Sequence, residues 1–136
     1  MTDCIFCKII SGELPSYSLY EDEYTFSFLD IHPVNKGHVL VISKKHYADF
    51  LDVDTETLIA LTKSAHTISQ AVKKGVSADG CNVTTNAGAA AGQVIFHMHW
   101  HIIPRFKDDG LKLWPSQGDY TQDDAQAIQE AIVQNL

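Results

Sequence analysis

Three histidines alternate with large apolar residues in the segment His97-Met98-His99-Trp100-His101. In a β-strand, side chains two positions apart lie on the same face, so this pattern predicts a row of three imidazoles with Met98 and Trp100 packed behind it. An imidazole can act as a nucleophile, as a proton donor or as a metal ligand. A single strand histidine is ordinarily a hydrogen-bonded core residue, and it is therefore the repetition that indicates a site of chemistry.

The bulk properties of the chain fit a single domain spanning residues 1–136. With 136 residues and 45% hydrophobic content the chain can form its own core, and no apolar run reaches the roughly 20 residues of a membrane helix. A net charge of −7 argues against broad binding to a nucleic-acid backbone. The Cys4-x-x-Cys7 pair and the lack of a signal-peptide pattern favour reduced thiols or a metal site over disulfides. We therefore expect a cytoplasmic protein with no membrane or nucleic-acid partner.

Hydrophobic periodicity predicts the elements that must position the histidines. Strands are predicted at residues 17–20, 24–29, 38–42, 81–85 and 97–104. A long amphipathic helix is predicted at residues 54–74, with short helices at residues 4–10 and 122–135. The expected fold is α+β, a five-stranded antiparallel sheet with the long helix packed against it and short helices at both ends.

A glycine-containing loop lies directly before the histidine row. Residues 86–93 read Asn-Ala-Gly-Ala-Ala-Ala-Gly-Gln, and such small residues let backbone N–H groups approach a phosphate closely. Glycine-containing loops are common, so it is the position of this loop beside the histidines that indicates phosphate binding.

In their types and order, these segments resemble the histidine triad (HIT) family of nucleotide hydrolases and transferases. The signature His-φ-His-φ-His-φ-φ, where φ is an apolar residue, is matched by residues 97–103, and the Asn-x-Gly-x-x-x-Gly-Gln loop by residues 86–93. Residues 4–10, 28–31 and 37–42 are similar to the bacterial branch of the family. The resemblance covers residues 4–105, whereas residues 107–136 match less distinctively and take no functional role from it.

The resemblance implies attack by a histidine on the α-phosphorus of a nucleoside phosphoramidate, dinucleoside polyphosphate or related nucleotide. Water or another acceptor then resolves the nucleotidyl-histidine intermediate. His99 corresponds to the nucleophile, His101 to a group that stabilises the phosphate or the leaving group, and His38 to one that helps hold the phosphate. Gln93 and the loop N–H groups around Gly92 would neutralise the charge of the five-coordinate phosphorus.

Other matched positions concern the expected purine nucleotide. Asn86 corresponds to a substrate contact, and Asp30 to the acceptor for the ribose hydroxyls. Four apolar residues correspond to the clamp on the base, although ordinary core packing explains them equally well: Phe6, Ile9, Phe28 and Ile31. Val94 stands where some relatives have serine, so a hydroxyl that could donate a proton to the leaving group is missing at that position.

The resemblance also implies a zinc site. Cys4 and Cys7 supply half of a tetrahedral ligand set, and in the bacterial branch, as in the related galactose-1-phosphate uridylyltransferases, two histidines complete it. Here these are His46 and His97. Four protein ligands leave no position for water, so such an ion would fasten the N-terminal segment to the sheet rather than activate a nucleophile.

Two alternatives to a histidine-nucleophile enzyme are open at this point. The chain could bind or sense nucleotides without relevant catalysis, or His99 and His101, two positions apart, could ligate a catalytic zinc ion. The resemblance further implies a homodimer. Its contact is formed by the long helix and an edge strand, so that the two sheets make one continuous ten-stranded sheet.

Overall fold

The computed structural model describes residues 3–136 and contains one five-stranded antiparallel sheet. The strands are β1 (Ser18–Glu21), β2 (Thr25–Leu29), β3 (Val39–Ser43), β4 (Gly80–Thr84) and β5 (His99–Arg105), in the order β1-β2-β3-β5-β4. The described residues form the α-helices α1 (Ile5–Ile10), α2 (Thr55–Gly75) and α3 (Gln122–Val133). The predicted α+β architecture is confirmed, with strand ends that differ by one or two residues.

The central strand β3 separates two hydrophobic cores, because side chains alternate between the faces of the sheet. On one face, Val39 and Val41 pack with α2 and the β5 region, in a cluster completed by Tyr47, Leu61, Ala65, Ile68, Met98 and Ile102. On the other face, Leu40 and Ile42 pack with Phe6 of α1 and with Phe28 of β2. The first core makes the sheet rigid, and the second lies under the candidate site.

Helix α2 begins where the sequence predicts. The Asp54 side chain accepts a hydrogen bond from the Thr57 N–H at 2.8 Å and so caps the first turn, and Lys73 and Lys74 lie in the last turn, near the negative end of the helix dipole. Helix α3, in contrast, contains no buried residue. No helix in residues 3–136 is long and apolar enough to cross a membrane.

The histidine segment departs from the prediction at its first residue. Strand β5 begins at His99, and His97 lies in a bend before it. The Ser43 carbonyl, at the last residue of β3, accepts a hydrogen bond from the His97 ring Nε2–H at 2.6 Å. His99 pairs with Ile42 and His101 with Leu40, so two imidazoles of the predicted row share the α1 face of the strand. Met98 is fully buried behind them, as predicted.

Candidate functional site

His99 has one ring nitrogen committed and the other available. Its Nδ1–H donates to the carbonyl of His97 at 2.5 Å, because a carbonyl can only accept. The neutral ring therefore carries its lone pair on Nε2. Thr85 Oγ1 donates to the His99 carbonyl at 2.7 Å and holds the backbone of the same residue. The geometry leaves an oriented imidazole nitrogen that can attack an electrophile.

His101 and His38 form a hydrogen-bonded pair whose tautomers follow from the backbone. The N–H of Val34 donates to His38 Nδ1 at 3.1 Å, so the proton of the neutral His38 ring is on Nε2. That Nε2–H donates to His101 Nδ1 at 3.0 Å, which places the His101 proton on its own Nε2. His101 thus offers an N–H donor on the nitrogen that His38 leaves free.

The same tautomer argues against a metal ion at this pair. Asp30, His38 and His101 offer ligand atoms within 4.8 Å of one another, and Asp30 Oδ2 is 3.7 Å from His38 Nε2. A ligating Nε2 would need a lone pair, yet Val34 occupies Nδ1 and so fixes the proton on Nε2. His99 belongs to neither group of possible metal ligands within residues 3–136, which weighs against a catalytic zinc on His99 and His101.

Burial keeps these imidazoles neutral. It lowers the pKa of His99, and it lowers the pKa of His101 to about 4, with further lowering by the neighbouring His99 and His38. Burial also lowers the pKa of His38, although Asp30 opposes that shift. At neutral pH, His99 Nε2 therefore keeps the lone pair that nucleophilic attack requires.

A cavity of about 670 Å³ opens beside His99 and His101, a size that suits a small-molecule ligand. All seven of these predicted nucleotide-contacting residues line it: Phe6, Ile9, Phe28, Asp30, Ile31, Asn86 and Gly92. Phe6 and Phe28 are buried and pack edge to face at 5.6 Å, whereas Ile31 is 71% exposed. The aromatic pair therefore forms the floor of the cavity, and Ile31 stands at its rim.

Two predicted site residues lie behind the cavity wall rather than on it. His38 is 3% exposed and reaches the cavity through His101. Gln93 is 5% exposed, and its Nε2 donates to the carbonyls of Ala48 at 2.7 Å and Ile95 at 3.1 Å. Its Oε1 accepts the Gly88 N–H at 2.8 Å, so the amide ties together both ends of the loop.

The loop itself depends on its glycines. Gly88 has φ +93° and Gly92 has φ +88°, a region of backbone conformation that side chains disfavour, and the two residues flank a 3-10 turn at Ala89–Ala91. The N–H groups of Ala91, Gly92 and Gln93 donate to carbonyls within the loop. Among residues 3–136 the Val94 N–H has no protein acceptor, and Val94 lines the cavity. Val94 therefore brings an unpaired backbone N–H to the cavity that His99 and His101 also line.

The predicted metal ligands come together at the N-terminal end of α1. Cys4, Cys7, His46 and His97 offer ligand atoms within 4.8 Å of one another. Cys4 Sγ is 3.3 Å from His97 Nδ1, and Cys7 Sγ is 3.4 Å from His46 Nδ1 and 3.6 Å from His97 Nδ1. In a tetrahedral zinc site, bonds of about 2.3 Å to sulfur and about 2.0–2.1 Å to nitrogen separate sulfur from nitrogen by roughly 3.6 Å. The donor set and its spacing fit zinc.

The His97 ring is oriented for this role by a second hydrogen bond. Its Nε2–H donates to the Ser43 carbonyl, so the lone pair lies on Nδ1, the nitrogen facing the two thiols. Burial lowers the pKa of His97 to about 4, which favours the neutral form that a metal requires.

Several contacts escape the sequence patterns. The cavity is also lined by Leu14, Pro15, Leu40 and Ile95. Leu40 could have been inferred, because it lies two residues after His38 and alternation along an extended chain puts both on one face. The Val34 N–H and the Ser43 carbonyl carry no residue-type signal at all, since every such position supplies a backbone group.

Comparisons with known proteins identify the family. The sequence model of the HIT domain matches residues 11–108. The chain is 42% identical over 116 residues to adenosine 5'-monophosphoramidase HNT1 of Saccharomyces cerevisiae, a match covering 84% of this chain and 71% of that protein. It is 45% identical over 115 residues to adenylylsulfatase HINT3 of Arabidopsis thaliana, with 85% of this chain and 57% of that protein covered.

Solved structures share the fold, and one of them contains bound zinc. A HIT family protein from Bacillus subtilis superposes with a TM-score of 0.91 at 39% identity, covering 98% of this chain and 97% of that one. A Zn-bound histidine triad family protein from Mycobacterium smegmatis superposes with a TM-score of 0.78 at 36% identity, covering 98% of this chain and 95% of that one. The family match, the sequence identities and the shared fold together establish that the chain belongs to the histidine triad (HIT) family.

Proposed function

We propose that this protein hydrolyses or transfers nucleotidyl groups at the α-phosphorus of adenine or related purine nucleotides, with His99 as nucleophile. The observation that carries the proposal is the free Nε2 lone pair of His99 at a cavity lined by the predicted nucleotide-binding residues. Two relatives support the substrate class, because their names describe adenosine 5'-phosphoryl compounds with nitrogen or sulfate leaving groups.

The reaction follows from the tautomers. The Nε2 lone pair of His99 forms a bond to the α-phosphorus while the bond from phosphorus to the leaving group breaks, which gives a nucleotidyl-histidine. The His101 Nε2–H is the donor to the phosphate or to the bridging atom, and the Val94 N–H supplies a second donor. Water or another acceptor then attacks phosphorus and loses its proton to solvent, the N–P bond breaks, and His99 regains its lone pair.

In this proposal, His38 and Gln93 do not contact the substrate and instead position the groups that do. His38 fixes the tautomer of His101 through the 3.0 Å hydrogen bond, and Gln93 holds the loop that carries Gly92 and Val94. Asp30 accepts hydrogen bonds from the ribose hydroxyls, and the four apolar residues Phe6, Ile9, Phe28 and Ile31 enclose the base.

Zinc has a separate role. We propose that Cys4, Cys7, His46 and His97 hold one zinc ion, whose closed ligand shell leaves it no coordination position for substrate. When bound, the ion supplies a cross-link between α1, the chain after β3 and the segment before β5.

We also propose a homodimer that joins two sheets at β4. Strand β4 is at one edge of the sheet, and its Val83 is 43% exposed. A shallow hollow of about 250 Å³ beside it is lined by Ala65 of α2 and by Trp100. Light scattering should give the mass of two chains for the wild type and of one chain for Val83→Glu. A wild-type monomer would contradict the dimer.

The catalytic proposal is tested with His99→Ala and the control variant Lys63→Ala, which changes an exposed residue of α2 that lines neither the cavity nor the hollow. With adenosine phosphoramidate as substrate, His99→Ala should lose at least about a thousandfold in kcat, because the nucleophile is gone, while retaining AMP binding. Lys63→Ala should keep wild-type kcat. Full turnover by His99→Ala would contradict the mechanism. If the wild type binds AMP but turns over no substrate, the result would favour a nucleotide-binding module.

A further inference from the structure

Helix α1 belongs to both the metal centre and the nucleotide cavity. Its first turn lies between two metal-ligand candidates, with Cys4 at the N-cap and Cys7 inside the helix. Residues of the same six-residue helix, Phe6 and Ile9, line the cavity. A helix this short is not stable in water by itself, so its position depends on what anchors its ends.

His97 forms a second link between the two sites. Its ring Nδ1 faces the thiols of Cys4 and Cys7, at 3.3 Å and 3.6 Å. Its carbonyl accepts the Nδ1–H of His99, which is the bond that aims the nucleophile. The orientation of the catalytic ring therefore depends on the backbone of a metal-ligand candidate.

Phe6 joins the two links through side-chain packing. Its ring packs edge to face against His97 at 5.8 Å, against His99 at 5.2 Å and against Phe28 at 5.6 Å. It is 5% exposed, so a shift of α1 moves an aromatic ring that touches a metal-ligand candidate, the nucleophile and the cavity floor. Such a shift cannot leave the nucleotide site unchanged, because Phe6 itself lines the cavity and its ring packs against that of His99.

We propose that the metal centre and the nucleotide cavity are thermodynamically coupled, with Phe6 and the backbone of His97 as positioning residues. Zinc holds α1 and the His97 carbonyl in the conformation that binds nucleotide, and bound nucleotide in turn holds the zinc ligands together. The inference rests on the proposed function. Coupling is reciprocal, so the factor by which nucleotide raises zinc affinity equals the factor by which zinc raises nucleotide affinity.

The first test measures zinc affinity by competition with a chromophoric chelator, with and without saturating AMP. Wild-type zinc affinity should rise by about fivefold or more when AMP is bound, and AMP affinity should be higher for the zinc-loaded than for the zinc-free protein by the same factor. Phe6→Leu should weaken AMP binding to the zinc-loaded form, because Phe6 also lines the cavity, and it should bring the coupling factor, measured at saturating AMP, close to one. Lys8→Ala, a control on the same helix that does not line the cavity, should keep the wild-type factor.

The second test does not require a folded zinc-free protein. Co²⁺ in place of zinc gives absorption bands that report the geometry of the thiolate and imidazole ligands. AMP should shift these bands in the wild type and in Lys8→Ala, and the shift should be smaller in Phe6→Leu. Unshifted bands at saturating AMP, or zinc affinity within twofold with and without AMP, would overturn the coupling and leave the nucleotide reaction standing. Failure of AMP to bind the zinc-loaded protein would overturn both.

Discussion

Gln93→Glu replaces one buried amide by a carboxylate of nearly the same shape, and so isolates the amide's two donated hydrogen bonds. The Gln93 amide donates to the carbonyls of Ala48 and Ile95 and accepts from the Gly88 N–H. A carboxylate keeps the accepted bond but leaves both carbonyls without a donor. Each unsatisfied buried group costs about 1–3 kcal/mol, so two cost about 2–6 kcal/mol. Ala48 and Ile95 are only partly buried, so we expect the free energy of unfolding to fall by the lower part of that range, about 2–4 kcal/mol.

Urea unfolding at pH 7 measures this loss, and the m-value should stay unchanged. For a domain of this size we expect the Tm to fall by about 10 °C. Gln70→Glu makes the same chemical change on the exposed surface of α2 and should alter the free energy of unfolding by less than about 0.5 kcal/mol. At pH 5 the Gln93→Glu deficit relative to wild type should shrink, because burial raises the pKa of a carboxyl group and a protonated one regains a donor.

The refuting result is specific. If Gln93→Glu is as stable as wild type but binds AMP much more weakly, the amide contacts the phosphate directly and does not hold the loop. If the Gln93 amide holds the loop in place, the variant should lose both stability and turnover.

Three further predictions concern charge, backbone and specificity. Burial lowers the pKa of His101 from 6.5 to about 4, so the stability contributed by its neutral form is complete above pH 6.5 and is lost as the pH falls toward 4. The free energy of unfolding in urea should therefore fall less between pH 7 and pH 5 for His101→Gln than for wild type. Gly37→Ala should destabilise more than Gly12→Ala, by about 1–2 kcal/mol in thermal unfolding, because both have positive φ but only at Gly37 would a Cβ lie 2.9 Å from Val76 Cγ1. Asp30→Asn should reduce the preference of kcat/KM for ribonucleotide over 2',3'-dideoxynucleotide substrates toward one, and an unchanged preference would show that Asp30 does not bind the ribose.

Sequence periodicity predicted the fold because each strand and α2 follow simple rules of alternation. Met98, Ile102 and the stripe of Leu61, Ala65 and Ile68 are buried where a strand period of two and a helix period of 3.6 put them. The error at His97 has a local cause. Its ring bonds to the Ser43 carbonyl and turns toward the thiols, and a pattern of alternating residues contains no information about that contact.

Residue types predicted which side chains lie around the cavity better than they predicted the contacts that those side chains make. His99 and His101 flank the cavity, as the spacing predicted, whereas burial of His38 and Gln93 follows from tertiary packing. The tautomers depend on the Val34 N–H and on two carbonyls, which no side-chain pattern encodes. Helix α3 was predicted from its amphipathic pattern, and its lack of buried residues could not have been read from that pattern.

The central claim is that His99 forms a covalent bond to the nucleotide, and intact-mass measurement tests it most directly. The wild type is incubated with a slowly hydrolysed adenosine 5'-phosphoryl substrate and denatured at alkaline pH, which preserves a phosphorus–nitrogen bond. We predict an added mass of one adenylyl group, mapped by peptide analysis to His99 and absent from His99→Ala. Turnover with no adduct, or an adduct on any other residue, would contradict the account.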